Sequence, residues 1–176
     1  MSDTRILAFY SGAGPDSRGR LLSEIQNWSD DKLERTHDYI QWLFPLDEPS
    51  GFNVEAPVLD ASAIHEFGSR IELRRNLRVS FLRMLSFYGL EPLHSHAPKV
   101  VRAASFAERS RNWITPSNHN HLRITRMLKS LRLLGLEAES AAFFESLKGI
   151  YREEGAKADP GISEESFEFW QSAALC

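Results

Sequence analysis

The spacing of apolar residues between helix-breaking prolines and glycines constrains this chain most. The clearest case is residues 69–88, which precede Gly89, a residue typical of a helix C-terminus. Apolar side chains recur there at intervals of three and four, as they do on one face of an α-helix. That stripe consists of Leu73, Leu77, Phe81, Met84 and Tyr88. The spacing predicts a long amphipathic helix, and no part of the chain shows the alternation of a half-buried strand.

The same spacing predicts the other helices. They cover residues 21–28, a helix capped by Asp31 and running to Phe44, a short helix capped by Asp60, residues 100–113, residues 121–134, residues 138–152, and a last helix capped by Ser163. Pro45 and Pro49 cannot continue a helix, so residues 45–57 are predicted as a loop, and residues 91–98 as another. We therefore predict an all-α fold: a single globular domain of seven or eight helices over residues 1–176.

Composition excludes several classes of protein. With 42% hydrophobic and 26% charged residues among 176, the chain can build an ordinary core. Cys176 is the only cysteine, which excludes a disulfide framework and a cysteine-rich zinc site. No apolar run approaches the roughly 20 residues of a membrane span, and the first residues do not resemble a signal peptide. These features predict a soluble, intracellular protein.

Charge is unevenly distributed along the chain. Residues 67–132 hold 13 basic and 3 acidic side chains, whereas the whole chain has a net charge of −3. A basic middle region can bind a polyanion, or it can pair with acidic helices of the same protein; we favour the second interpretation. The nucleic-acid alternative would use Arg70, Arg74, Arg75, Arg78, Arg83, Lys99, Arg102, Arg109 and Arg111. No helix-turn-helix or stacking platform supports it.

Enzyme and metal chemistry find little support. His94 and His96, like His119 and His121, are two residues apart, so on a helix the two imidazoles would point in divergent directions. The chain lacks His-Glu-x-x-His, Gly-x-Ser-x-Gly, P-loop and dinucleotide-binding motifs. We expect no metal, no cofactor and no catalytic residue. An enzyme built around His37, Asp38 and His119 stays as a second alternative.

Two polar segments are candidates for ligand binding. In the first, His37 is predicted on the side of its helix that carries Leu33, Ile40 and Phe44, which suggests a partly buried imidazole. In the second, Asn118 and Asn120 can satisfy free backbone donors at a helix start. Arg123 and Arg126 share a face there and could clamp a carboxylate or phosphate. The candidate ligand-binding residues are His37, Asp38, Gln41, Trp42, Asn118, His119, Asn120, Arg123 and Arg126.

Each segment also has a structural explanation, because Trp42 can be a core residue and the arginines can hold acidic helices of this protein. Their combined polar content nevertheless predicts that the two helices pack together. His37 or Gln41 would then lie within hydrogen-bonding or one-water reach of His119 or Arg123. A double-mutant cycle on His37 and Arg123 should show non-additivity of roughly 0.5–3 kcal/mol.

These segments resemble the conserved N-terminal region of the opioid growth factor receptor family. The resemblance covers residues 9–174 and is carried by Tyr39-Ile40-Gln41-Trp42-Leu43-Phe44-Pro45-Leu46, by Leu122-Arg123-Ile124-Thr125-Arg126, and by Pro15-Asp16 with Gly19-Arg20. It implies a mainly helical domain that binds an enkephalin-type peptide or a similar small anionic or aromatic ligand. It also implies nuclear or peripheral membrane association. Because the chain stops near the end of this region, we expect a short member without the C-terminal extension.

Overall fold

The structure is a computed structural model that describes residues 4–93 and 95–175. Predictions that involve residues 1–3, His94 and Cys176 lie outside the described residues. Within them the chain forms ten α-helices, two strands and a 3-10 turn. The helices are α1 Arg5–Tyr10, α2 Leu22–Gln26, α3 Asp30–Arg35, α4 Ile40–Leu43, α5 Ala61–Ser69, α6 Ile71–Tyr88, α7 Phe106–Arg109, α8 His119–Leu133, α9 Glu137–Glu154 and α10 Glu164–Leu175. The strands are β1 Leu90–Leu93 and β2 Lys99–Arg102, and the 3-10 turn is Ser110–Asn112.

The predominantly helical fold is confirmed, but the described residues hold more helices than the seven or eight predicted. One reason is that the helix predicted from Asp31 to Phe44 is two helices, α3 and α4. Thr36 has an extended backbone and ends α3, so the apolar spacing continues through a break in the helix. The predicted cap was also wrong, since the hydroxyl of Ser29, not Asp31, accepts the hydrogen bond from the Lys32 amide at 3.3 Å.

A β-hairpin replaces the loop predicted for residues 91–98 and the start of the helix predicted from residue 100. β1 pairs antiparallel with β2, with Leu90 opposite Arg102 and Leu93 opposite Lys99. Most of these strand residues are exposed, so the hairpin lacks the buried–exposed alternation by which a strand is recognised in a sequence. The expectations of no strand and of a helix over residues 100–105 were therefore wrong.

The described chain divides into two compact units. Unit 1 comprises residues 4–81 and 133–135. Its core is aromatic: Phe9 meets Trp42 edge to face with ring centroids 5.3 Å apart, and Tyr10 meets Phe67 at 5.1 Å. The side-chain amide of Asn76 on α6 donates to the Tyr10 carbonyl at 2.6 Å. Of the two interpretations of Trp42, the structure supports a core residue, because the side chain is fully buried.

Unit 2 comprises residues 82–132 and 136–175, and α9 packs there against α10 and against the strand β2. Leu128 is fully buried on α8, and the Ser140 hydroxyl on α9 donates to its carbonyl at 2.8 Å. Leu122 lies on the same helix but is 54% exposed, whereas Met127 is buried. No helix of residues 4–93 and 95–175 is both long and apolar enough to cross a membrane.

Candidate functional site

The first predicted segment belongs to unit 1 and lies mostly outside helices. His37 and Asp38 occupy the break between α3 and α4, where His37 is exposed and Asp38 half-buried. The prediction of a partly buried His37 was wrong, since α3 ends at Arg35 and the helical face on which that prediction depended does not continue. The imidazole of His37 is accordingly accessible to a ligand.

Asp38 takes part in a charged cluster that the sequence did not predict. The Arg20 guanidinium donates to the Asp38 carboxylate at 2.8 Å and to the Asp16 carboxylate at 2.7 Å, and Arg18 donates to Asp38 at 3.2 Å. Burial raises the pKa of Asp38, but the hydrogen bond and the charge of Arg20 outweigh burial and hold that pKa below its ordinary value. Asp38 is therefore an ionised carboxylate bound by two arginines, which does not favour a His37–Asp38 catalytic pair.

Gln41 and Trp42 lie on α4 and are both buried, at 4% and 0% exposure. Within the described part of the chain, neither the Gln41 side-chain oxygen Oε1 nor the Trp42 indole nitrogen Nε1 has a hydrogen-bond partner. The Arg5 guanidinium lies 5.8 Å from the centroid of the Trp42 ring. Since buried polar atoms are ordinarily hydrogen-bonded, these two are the exception in the first segment.

The second predicted segment belongs to unit 2 and begins with a cap. The Asn118 side-chain oxygen accepts from the Asn120 amide at 2.9 Å, and its NH₂ group donates to the Asn112 carbonyl and to the Thr115 hydroxyl. The capping role predicted for Asn118 is confirmed. Asn120 is instead fully buried inside α8, where its side-chain oxygen accepts from the Arg123 guanidinium at 3.2 Å.

Exposure separates the charged residues of the second segment. Arg123 is only 5% exposed and forms part of the packing of unit 2. His119 and Arg126 are half-buried, and both also make contacts within the molecule. Their accessible atoms are the ones that a ligand can reach. The predicted contact between the two segments stays a prediction.

A polar centre around His121 supports the second segment and was missed by the sequence analysis. His121 donates from Nε2 to the Trp113 carbonyl at 2.8 Å, and the Ser166 hydroxyl lies 3.3 Å from Nδ1. The Trp170 indole donates to the His121 carbonyl at 3.0 Å. Burial lowers the pKa of His121, so the ring is neutral at pH 7. The sequence pattern assigned no role to His121, because its spacing of two from His119 argues against a metal pair on a helix. In the described chain no group of three His, Cys, Asp or Glu side chains could hold a metal ion.

Several cations of the basic region have partners inside their own unit. Arg74 donates to the carbonyls of Phe67 and Gly68 at the end of α5. Other pairs are Arg70 with Glu66 and Glu72, Arg102 with Glu153, and Arg109 with the Phe87 carbonyl. These contacts favour the interpretation that the basic region stabilises the fold over the nucleic-acid alternative.

Unit 2 also contains a cavity of about 290 Å³ that includes none of the predicted ligand-binding residues. Charged side chains dominate its lining: Arg102, Arg111, Lys157, Glu153 and Glu154. Phe106 and Ile114 supply its apolar wall. The sequence suggested Arg102 and Arg111 only as nucleic-acid contacts, because nothing in it shows that residues 102–114 and 153–157 come together.

Comparison with known proteins identifies the family. The profile of the opioid growth factor receptor conserved region matches residues 2–173. The chain belongs to the opioid growth factor receptor family. The resemblance drawn from the signature segments is thus confirmed, and it covers nearly the whole chain.

Named relatives of this family show how the chain compares with longer proteins. It is 46% identical to the mouse opioid growth factor receptor over 122 residues, 68% of this chain and 19% of that protein. It is 38% identical to the human receptor over 181 residues, 99% of this chain and 26% of that protein. It is 40% identical to the mouse opioid growth factor receptor-like protein 1 over 141 residues, which is 78% of this chain and 30% of that protein. The chain therefore spans less than a third of these relatives, and no solved structure matches it.

Proposed function

We propose that this chain is a peptide-binding module of receptor type and that its ligand is an enkephalin-type peptide. The observation that supports the proposal is the family match over residues 2–173, together with relatives named opioid growth factor receptor. Such a module binds its ligand without chemical change, so the proposal is of a binding protein and not an enzyme.

Burial divides the nine predicted residues into two roles. Gln41, Trp42, Asn120 and Arg123 are buried, and we assign them to shaping the backbone of their segments. Asn118 is likewise structural, since its oxygen and both amide hydrogens serve the cap of α8, and the accessible parts of His37, Asp38, His119 and Arg126 are the ligand contacts of the proposal. The Asp38 carboxylate is already paired with Arg20 and Arg18, so it suits a peptide N–H as a hydrogen-bond acceptor, and Arg126 suits a carboxylate. Each set is assigned separately and can be tested separately.

A fluorescence anisotropy titration with a labelled enkephalin-type pentapeptide tests this function. Asp38→Asn and Arg126→Gln are the site variants. Asp31→Asn and Arg75→Gln are the matched controls, since both residues are exposed and lie outside the predicted segments. Circular dichroism shows that each variant is folded. We expect at least one site variant to weaken binding by about tenfold or more, and both controls to stay within about twofold. Equal affinity for all four variants would contradict the assignment.

The proposal also includes an intracellular location, with nuclear or peripheral membrane association as the family implies. A sequence with one cysteine among 176 residues suits a reducing compartment. Fractionation of cells that express the tagged chain tests this part. Recovery in the cytosolic or nuclear fraction supports it, and exclusive recovery from the culture medium would refute it.

A further inference from the structure

The cavity of unit 2 has fixed walls. The Trp113 indole donates to the Tyr88 carbonyl at 3.1 Å, which holds the segment after α7 against the end of α6. Gly89, with φ +76°, approaches so closely that an added Cβ would lie 2.7 Å from the Phe106 Cα. Gly161 is equally close to Ile114, because a Cβ added to Gly161 would lie 2.5 Å from the Ile114 carbonyl oxygen. Phe106 and Ile114 are therefore held by neighbouring backbone, and the cavity between them is preorganised.

The cavity lining has three cationic and two anionic side chains, so one positive charge is not balanced within it. The Arg102 guanidinium pairs with the Glu153 carboxylate at 2.6 Å, and the Lys157 ammonium pairs with the Glu154 carboxylate at 2.5 Å. Arg111 is exposed, and its guanidinium makes no hydrogen bond or ion pair with any residue in 4–93 and 95–175. Both carboxylates are thus neutralised, and the lining keeps a single positive charge on a planar group that binds carboxylates through two parallel hydrogen bonds.

The apolar wall defines the rest of the ligand. The Arg102 guanidinium covers the Phe106 ring with 4.6 Å to its centroid, and Ile114 lines the same cavity. A volume of about 290 Å³ lies just below the roughly 300–1,000 Å³ typical of small-molecule sites. It suits one amino-acid-sized group and not a long chain.

From the unpaired Arg111 beside the Phe106 and Ile114 wall, we propose that this cavity binds a monocarboxylate that carries an apolar or aromatic group. The charge of one such anion balances the single excess cation, whereas a phosphate dianion would exceed it. The carboxylate can come from a free organic acid or from the C-terminal residue of a peptide. The inference does not rest on the proposed function, since none of the nine predicted ligand-binding residues lines the cavity.

NMR titration of the ¹⁵N-labelled chain tests the proposal with three probes. The first is N-acetyl-phenylalanine, the second is its neutral amide, and the third is an acetylated Ala-Ala-Ala-Phe peptide with a free carboxylate. Arg111→Gln is the site variant. Arg75→Gln is its control, since Arg75 is likewise exposed and lies outside the cavity.

We expect saturable amide shifts at residues 102–114 and 153–157 with the free acid, and affinity at least about tenfold weaker for the amide and for Arg111→Gln. Arg75→Gln should bind like the wild type. Binding of the peptide as tightly as the acid assigns the cavity to peptide C-termini, and binding of the acid alone assigns it to free organic acids. Equal binding of acid and amide, an unaffected Arg111→Gln, or no saturable shift up to about 10 mM would each overturn the proposal.

Discussion

Truncating Leu128 to alanine tests the packing of unit 2 directly. Leu128 lies on α8 with 0% of its side chain exposed, so the substitution leaves a hole in the core. A buried Leu→Ala change costs about 2–5 kcal/mol, the larger values applying where neighbouring side chains cannot collapse into the space. Unfolding should become about thirtyfold to several-thousandfold more favourable, and the melting temperature should fall by about 4–20 °C.

The same helix supplies the control for this experiment. Leu122→Ala makes the identical chemical change on α8, but Leu122 is 54% exposed, so we expect a change within about 0.5 kcal/mol. Urea unfolding followed by circular dichroism measures both variants. If their midpoints coincide, Leu128 does not contribute to the core of unit 2 and the buried face of α8 is wrongly assigned.

Three further predictions concern stability. Gly89→Ala should lower the free energy of unfolding, measured in urea, clearly more than Gly19→Ala. Both glycines have positive φ, which costs an alanine about 1–2 kcal/mol, but only at Gly89 would the added Cβ also collide with Phe106. Equal losses for the two variants would contradict the close approach. Burial lowers the pKa of His121, so the imidazole takes up a proton more readily in the unfolded chain than in the folded one. The free energy of unfolding should therefore be highest above about pH 6.5, the ordinary pKa of histidine, and should decrease as the pH falls below it. His121→Gln should remove that part of the pH slope. The predicted single domain should give one calorimetric transition with equal calorimetric and van't Hoff enthalpies, and two separate transitions would refute it.

The long helices could be predicted because their information is local. The stripe of α6 from Leu73 to Tyr88 is buried as expected, and the caps at Asp60 and Ser163 accept the predicted amide hydrogen bonds at 2.8 and 3.1 Å. The break at Thr36 and the hairpin of β1 and β2 could not be predicted in the same way. At Thr36 the apolar spacing continues through the break, so it looks like one helix. In β1 and β2 most residues are exposed, so the alternation that marks a strand is missing.

The candidate site was only partly predictable, because burial depends on packing between distant segments. Arg123 and Arg126 are three residues apart on one helix, yet Arg123 is buried and Arg126 is half-buried. The cap at Asn118 depends on neighbours a few residues away and was anticipated. The cluster of Arg20 with Asp16 and Asp38 joins residues up to 22 positions apart, and no spacing rule identifies such a cluster.

The central claim, that this chain binds an enkephalin-type peptide, is tested most directly by titrating the ¹⁵N-labelled chain with the unlabelled pentapeptide. We expect saturable shifts concentrated at residues 37–42 or 118–126, and no comparable shifts with a peptide of the same composition in scrambled order. A correctly folded chain that shows no saturable shift at about 1 mM peptide would contradict the claim.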